Sequence, residues 1–308
     1  MNVLIVGLGS IGLKHIKALF TIDEKAEIYA LRSSRESGNI EKGVRNIYSI
    51  EEIKEKPDFT IIANPTRFHS EAIKKLVVLN CPLFIEKPVL SDYKEGEALR
   101  KIINDHKVPT YVACNLRFHP AIKYLKNWFS ENNVQVYEVN IYCGSYLPDW
   151  RKNKDYRTVY SAHAEMGGGV HLDLIHELDY CYWLFGKPQK VDSVIRKVSA
   201  LEIDSMDSAV YTLVYEKFTA TIVLNYFRKD AKRGIEILTS EGTVYADILT
   251  ATVSHSGQEK IEVPGYSMEQ TYTDQMSYFI SALRENRVLM NDFEEALSVL
   301  KIATAHDA

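Results

Sequence analysis

The first twelve residues constrain the fold more than any other stretch of the chain. Val3 to Val6 is an unbroken run of β-branched and leucine side chains, the pattern of a strand buried on both faces of a parallel sheet. It runs directly into Gly7-Leu8-Gly9-Ser10-Ile11-Gly12. In a dinucleotide-binding turn the three glycines do separate work: a tight turn at the first, close backbone approach to the pyrophosphate at the second, close helix packing at the third. The segment from Ile11 to about Phe20 is amphipathic and predicts a helix whose N-terminal amides and positive dipole end face that pyrophosphate. A second strand is expected from Ala26 to Leu31. Placed between two strands and opening a helix, the motif predicts a nucleotide site at Gly7, Gly9, Ser10, Ile11 and Gly12.

The end of the second strand bears on which dinucleotide. A site for NAD(H) normally carries an acid there, about 20 residues past the fingerprint, to hold the ribose 2′-hydroxyl. This chain has Arg32-Ser33-Ser34-Arg35, and Arg32 lies 32 − 12 = 20 residues beyond Gly12. Two guanidinium groups and two hydroxyls suit a 2′-phosphate, through bidentate contacts and hydroxyl donation. The expectation is NADP(H) in preference to NAD(H). The plain alternative is a solvated loop whose arginines touch nothing.

Strands and helices then alternate. Strands are expected at Phe59 to Ala63, Leu83 to Glu86 and Tyr111 to Cys114, with helical patterns at Thr66 to Leu79 and Ser91 to His106, which is a doubly wound α/β arrangement. Ligands to such sheets bind at the carboxyl ends of the strands. Those ends read Asn64-Pro65-Thr66, Glu86-Lys87-Pro88 and Asn115-Leu116-Arg117. Lys87 stands out, because a lysine fixed by a following proline can reach a substrate oxygen or relay a proton; otherwise it is a surface lysine paired with Glu86. From about Pro120 the pattern becomes long alternating segments, Val134 to Tyr142, Lys190 to Val198, Ser208 to Tyr226 and Gly234 to Val253. Strand upon strand without helices between them predicts an antiparallel sheet. Two domains follow, residues 1–119 and 120–308. Tyr211, Val214 and Tyr215 are candidates for a face shared with a second copy in a homodimer or homotetramer.

Residues 167–180, Gly-Gly-Gly-Val-His-Leu-Asp-Leu-Ile-His-Glu-Leu-Asp-Tyr, set ionisable side chains just after a flexible triple glycine. In one helix Asp173 and His176 share a face, and a carboxylate beside an imidazole is a proton-handling pair. The alternative is a helix with a solvated acidic face. Upstream, Trp150, Arg151, Tyr156 and Arg157 crowd a polar loop able to stack on a sugar ring and hold an anionic group; otherwise they belong to an ordinary packed surface loop. Of the other histidines, His119, His163 and His171 show no recurring metal-ligand spacing, so no metal is expected. The four cysteines form no CxxC pair and are expected to be reduced and mostly buried. A net charge of −4 leaves no basic excess for nucleic acid or an anionic membrane surface. With no leader and no apolar stretch long enough to span a bilayer, a cytoplasmic location is expected.

These motifs occur together in one order. The glycine fingerprint with His15, Asn64-Pro65-Thr66 with His69, Glu86-Lys87-Pro88, Asn115-Leu116-Arg117-Phe118-His119-Pro120, and Gly167-Gly168-Gly169 followed by Asp173 and His176 resemble the Gfo/Idh/MocA oxidoreductases over essentially the whole chain. The resemblance implies a Rossmann domain followed by an α+β domain with a large open, mainly antiparallel sheet. It also implies that a C-terminal helix, about 292–303, packs back on the first domain. Its chemistry is hydride transfer between NADP or NAD and a sugar or polyol carbon. Lys87 is the implied catalytic lysine beside the nicotinamide, and Asp173 and His176 contact the reacting hydroxyl. Asn64, Pro65, Thr66, His69, Glu86, Lys87 and Asn115 join the cofactor-binding candidates; Lys87, Arg117, Trp150, Arg151, Tyr156, Arg157, Asp173 and His176 are the substrate-binding ones. One departure stands out, since many members space the aspartate and histidine one residue further apart. The sub-group with the shorter spacing shares Tyr146-Leu147-Pro148-Asp149-Trp150-Arg151 and Asp155-Tyr156-Arg157, and implies an amino sugar, uronate or nucleotide sugar. The rival readings are an enzyme that recycles its bound cofactor internally, such as a glycosidase, and a non-catalytic dinucleotide-binding regulator.

Overall fold

The computed structural model describes residues 1–33, 43–258, 260–262 and 266–305. In chain order the first part runs β1 (Asn2–Val6), α1 (Ser10–Ile22), β2 (Glu27–Leu31), β3 (Val44–Ile47), β4 (Phe59–Ile62), α2 (His69–Leu76), β5 (Leu83–Glu86), α3 (Gly96–His106) and β6 (Thr110–Ala113). The strands pair in parallel in the order β3-β2-β1-β4-β5-β6. Their inner residues, among them Leu4, Ile5, Ile61, Leu83 and Phe84, have 0% of their surface accessible, which is why the strands read as continuous apolar runs. The strand order turns back between β1 and β4. At that switch point the carboxyl ends of neighbouring strands diverge and open a crevice. Strand β3 carries no alternation in Val44-Arg45-Asn46-Ile47 and escapes prediction, since pairing along β2 is what extends it.

The middle of the chain forms a second sheet. It contains α4 (Pro120–Glu131), β7 (Val136–Tyr146), α5 (Val170–Asp173), α6 (His176–Phe185), β8 (Lys190–Arg196), β9 (Ser208–Val214), β10 (Thr219–Asn225), β11 (Phe227–Thr239), β12 (Gly242–Asp247), β13 (Thr252–His255) and β14 (Ile261–Glu262). The order is β14-β13-β12-β11-β7-β10-β9-β8, antiparallel throughout except for the parallel pair β7 and β10. Alternate residues such as Ile141, Tyr211, Ile222 and Ile235 are buried on the face that α4, α5 and α6 cover. Their neighbours Asn140, Val210 and Val223 lie on the other face, where Val194 is 56% exposed. This corrects the expected shared face. Tyr211 is fully buried and donates to Ala303 O at 2.8 Å, and Tyr215 is 8% exposed; of the three residues proposed from sequence only Val214 is on the open side, because the strand's period of two sends odd and even residues to opposite faces.

Two helices close the chain, α7 (Met268–Arg284) and α8 (Phe293–Ala303). One compact unit comprises Met1–Asn115 with Met268–Ser298, and the other Leu116–Ser267 with Val299–Ala308. In the first unit, α7 sets Phe279 edge-on against Phe59 and Phe84, at 5.1 and 5.2 Å between ring centres. Leu297 lies over Gly96, where a methyl group would come within 2.3 Å of it. None of the four cysteines is in a disulfide, and all are buried. Among the described residues no helix is long and apolar enough to cross a membrane.

Candidate active site

The nucleotide-binding half belongs to the first unit. Gly7 takes φ +98°, and a Cβ there would sit 2.4 Å from Asn64 N; one on Gly12 would sit 2.1 Å from Gly7 O. The first glycine therefore makes the turn and the third lets α1 close onto it. Nothing lies within 4 Å of a Cβ at Gly9. That residue is the N-cap of α1, and no side chain caps the helix. Open space above first-turn amides that no side chain satisfies fits a diphosphate. Beside it a groove of about 500 Å³ is lined by Gly7, Leu31, Arg32, Ser33, Asn64 and Pro65, with Glu71 and Lys75 of α2. Arg32 donates to Asn46 Oδ1 at 3.4 Å. Ser34 and Arg35 lie outside the described residues.

The strand ends are braced from beneath. His15 of α1 is wholly buried, with Nε2 2.5 Å from Glu86 Oε1, and Glu86 Oε2 accepts the Lys87 backbone N–H at 3.1 Å. This chain of contacts ties the fingerprint helix to the half-buried Lys87. His69, 1% exposed, places its ring nitrogens 2.9 Å from Asn64 O and 3.2 Å from Val89 O; burial pushes its pKa below the usual value despite the two carbonyls. Asn115 donates to Thr271 Oγ1 at 2.7 Å. Glu86, His69 and Asn115, expected to touch the cofactor, instead spend these side-chain bonds inside the unit, holding in place the strand ends that form the crevice. By contrast, the buried Asn64 Oδ1 has no hydrogen-bond partner among the described residues. Such an atom at the crevice wall fits a ligand that donates to it.

Apart from Lys87, the residues expected to meet a substrate lie in the second unit. The expected single helix after the glycines is broken: α5 ends at Asp173, Leu174 departs to φ −98°, ψ 30°, and α6 begins at His176. A methyl group on Gly168 would come within 2.3 Å of Tyr160 O, so the glycines let this turn pack under the loop before it. Asp173 is 5% exposed and His176 9%. Tyr226 donates its hydroxyl to Asp173 Oδ2 at 2.5 Å, and the phenol of Tyr160 lies beside the same carboxylate. Burial first, and then the Asp173 charge, raise both phenols well above the usual tyrosine range, so both remain donors. Trp150 lies edge-on to Tyr226 at 5.3 Å, and the Arg151 guanidinium is 6.0 Å from the Tyr160 ring centre. Neither tyrosine was singled out from sequence as a site residue, and no spacing signal marks them: Tyr226 is 53 residues from Asp173.

Four other expectations change. The acids of α6 are not solvated. Glu177 is 0% exposed and held by Arg233 at 2.7 and 3.1 Å, while Asp179 accepts two hydrogen bonds from Arg117 at 2.9 and 2.7 Å. Arg117, expected to hold substrate, is thus sealed at 1% exposure as the partner of Asp179. Arg157 is committed as well, to Asp155 at 2.8 Å and Glu202 at 2.9 Å. Tyr156 Oη accepts the Glu202 N–H at 3.3 Å, so it anchors the same patch.

A family model described as "Oxidoreductase family, NAD-binding Rossmann fold" matches residues 1–114, and the "GFO/IDH/MocA C-terminal domain" matches residues 134–245. The chain belongs to the Gfo/Idh/MocA oxidoreductase family. Like other members, this oxidoreductase pairs an NAD-binding Rossmann domain with a large, mainly antiparallel sheet. It is 24% identical over 272 residues to the myo-inositol 2-dehydrogenase of Thermotoga maritima, covering 82% of this chain and 77% of that one. It is also 24% identical to the NADP(+)-type scyllo-inositol 2-dehydrogenase IolW of Bacillus subtilis, over 57% of this chain and 48% of the relative. The WlbA dehydrogenase of Bordetella pertussis, solved with NADH and UDP-GlcNAcA, superposes with a TM-score of 0.82 at 18% identity over 99% of this chain and 94% of that one. That likeness establishes the fold.

Proposed function

We propose that this oxidoreductase transfers hydride between NADP(H), used in preference to NAD(H), and a hydroxyl-bearing carbon of a sugar, polyol or sugar derivative. When bound, the nicotinamide supplies the hydride acceptor or donor. His176 takes the hydroxyl proton in oxidation and returns it in reduction. Lys87, at the end of β5, is the catalytic lysine beside the nicotinamide. Asp173 grips the reacting or a neighbouring hydroxyl, held in a fixed orientation by Tyr226 and Tyr160. The observation that carries this reading is that clamp, a nearly buried carboxylate three residues before His176, in a chain of this family. Arg32 and Ser33 in the groove beside Gly7 support the 2′-phosphate. The exposed Val194 on the open side of the second sheet supports assembly of copies through that face.

A screen of myo-inositol, glucuronate and UDP-N-acetylglucosamine with NADP+ and with NAD+, followed by nicotinamide absorbance, tests the reading. Net reduction with at least one compound, faster with NADP+, is expected. Substrate turnover without net reduction would point to internal recycling, and tighter binding of NADH than NADPH would overturn the cofactor preference.

A further inference from the structure

The two arginines of the polar loop look alike in sequence, yet the structure treats them in opposite ways. Arg157 is bracketed by Asp155 and Glu202. Arg151 makes no ion pair among the described residues, and its guanidinium faces the ring of Tyr160, whose hydroxyl meets Asp173. Lys154 closes a turn onto it, donating its backbone N–H to Arg151 O at 3.0 Å. Both cations line one small cavity with Trp150 and Tyr156. Across residues 149–157 the sequence holds four cations, Arg151, Lys152, Lys154 and Arg157, against Asp149 and Asp155. With Arg157 and Asp155 paired to each other, three cations face one acid. Trp150 is fixed by Nε1 donating to Ser145 Oγ at 2.8 Å and keeps 38% of its surface open.

We propose that this loop is an anion subsite: the substrate is a sugar carrying an ionised acid group, carboxylate or phosphate, which Arg151 and Lys154 grip while the ring lies against Trp150. Tyr160 links the two ends of this subsite: its phenol lies beside Asp173, and its ring centre is 6.0 Å from the Arg151 guanidinium. A neutral polyol offers these cations nothing, whereas an anion gains charge-assisted hydrogen bonds. The subsite rests on the hydride-transfer reading only in taking the hydroxyl at Asp173 to be the reacting one.

The test is calorimetric titration of the NADPH-loaded protein with glucuronate, glucose 6-phosphate and glucose. At least one of the two anions binds about tenfold or more tightly than glucose, as expected for one charge-assisted contact, and the two together separate carboxylate from phosphate. Arg151→Gln removes most of that preference, and Lys154→Gln part of it. The charge-matched control Lys190→Gln, on an exposed lysine of β8 paired with Asp192, leaves it unchanged. Equal binding of all three compounds, or a preference that survives Arg151→Gln, overturns the subsite. Tight anion binding without hydride transfer upholds it and removes the reaction assignment instead; oxidation of glucose or myo-inositol with no anion preference does the reverse.

Discussion

In the proposed site Asp173 is the residue with the shortest anchor. Its carboxylate takes a 2.5 Å hydrogen bond from Tyr226 in a buried setting, where a donor to a charged group stabilises by about 1.5–3 kcal/mol. Tyr226→Phe keeps the ring against Trp150 and deletes only that donor. Turnover should fall by about tenfold to a hundredfold, with NADPH affinity unchanged. In an Asp173→Asn background the same change should cost little more, since the two groups act as one; additive losses in this double-mutant cycle would show that Tyr226 acts elsewhere. His176→Ala should lower turnover by about two to four orders of magnitude and spare cofactor binding, the usual scale of general acid–base catalysis. Unchanged turnover removes His176 from that role. Asp173 and His176 were legible because they follow a glycine run at short spacing. Tyr226 was not, because it reaches the carboxylate from 53 residues away, and Tyr160 was not, because no spacing signal ties it to Asp173.

At the scale of elements, the turn from β1 into α1 leaves no room for a side chain at its third glycine. A methyl group at Gly12 would fall 2.1 Å from Gly7 O, which is backbone and cannot swing aside. Gly12→Ala should therefore displace the start of α1, destabilise the protein by about 1–3 kcal/mol as overpacking does, and weaken NADPH binding. Thermal melting and a fluorescence titration check both effects, and wild-type affinity in the variant would deny the helix start its proposed role. Helix α6 teaches the opposite lesson about legibility. Its acids read equally well as a solvated face, yet both are buried against Arg117 and Arg233. A charge pattern along a helix does not announce arginines that arrive from a loop and a strand elsewhere. The same limit hid β3, whose partner strand makes it.

For the whole molecule, pH tests the packing of the second unit. His119 caps α4 by accepting the Ala121 N–H on Nδ1 at 3.2 Å, beneath the ring of Tyr266 at 4.7 Å. Burial pushes its pKa from 6.5 down to about 4, with the Ile248 carbonyl and Asp247 opposing the shift and Arg233 adding to it. The unfolded chain therefore takes up this proton first as pH falls. Stability from His119 is complete above about pH 6.5 and is lost as pH falls towards 4, by at most about 3 kcal/mol. Urea unfolding at pH 7 and at about pH 4.5 should show the loss, and His119→Asn, which keeps a cap acceptor, should flatten it. An unchanged slope in that variant would assign the acid sensitivity to other groups.

Local patterns settled a good deal before any tertiary contact was known. A strand run into spaced glycines, with alternating strands and helices after it, already demanded a doubly wound nucleotide-binding sheet, because those periodicities and that turn depend on neighbours in the chain. A period of two in the second half likewise demanded a sheet. Partnership was left to the fold: that Arg117 is a buried strut, that Arg151 makes no ion pair among the described residues, that His15 braces Glu86, and that Tyr226 holds Asp173. The Arg117, His15 and Tyr226 contacts join residues 53 to 71 positions apart, and only the folded chain brings such groups within hydrogen-bonding reach.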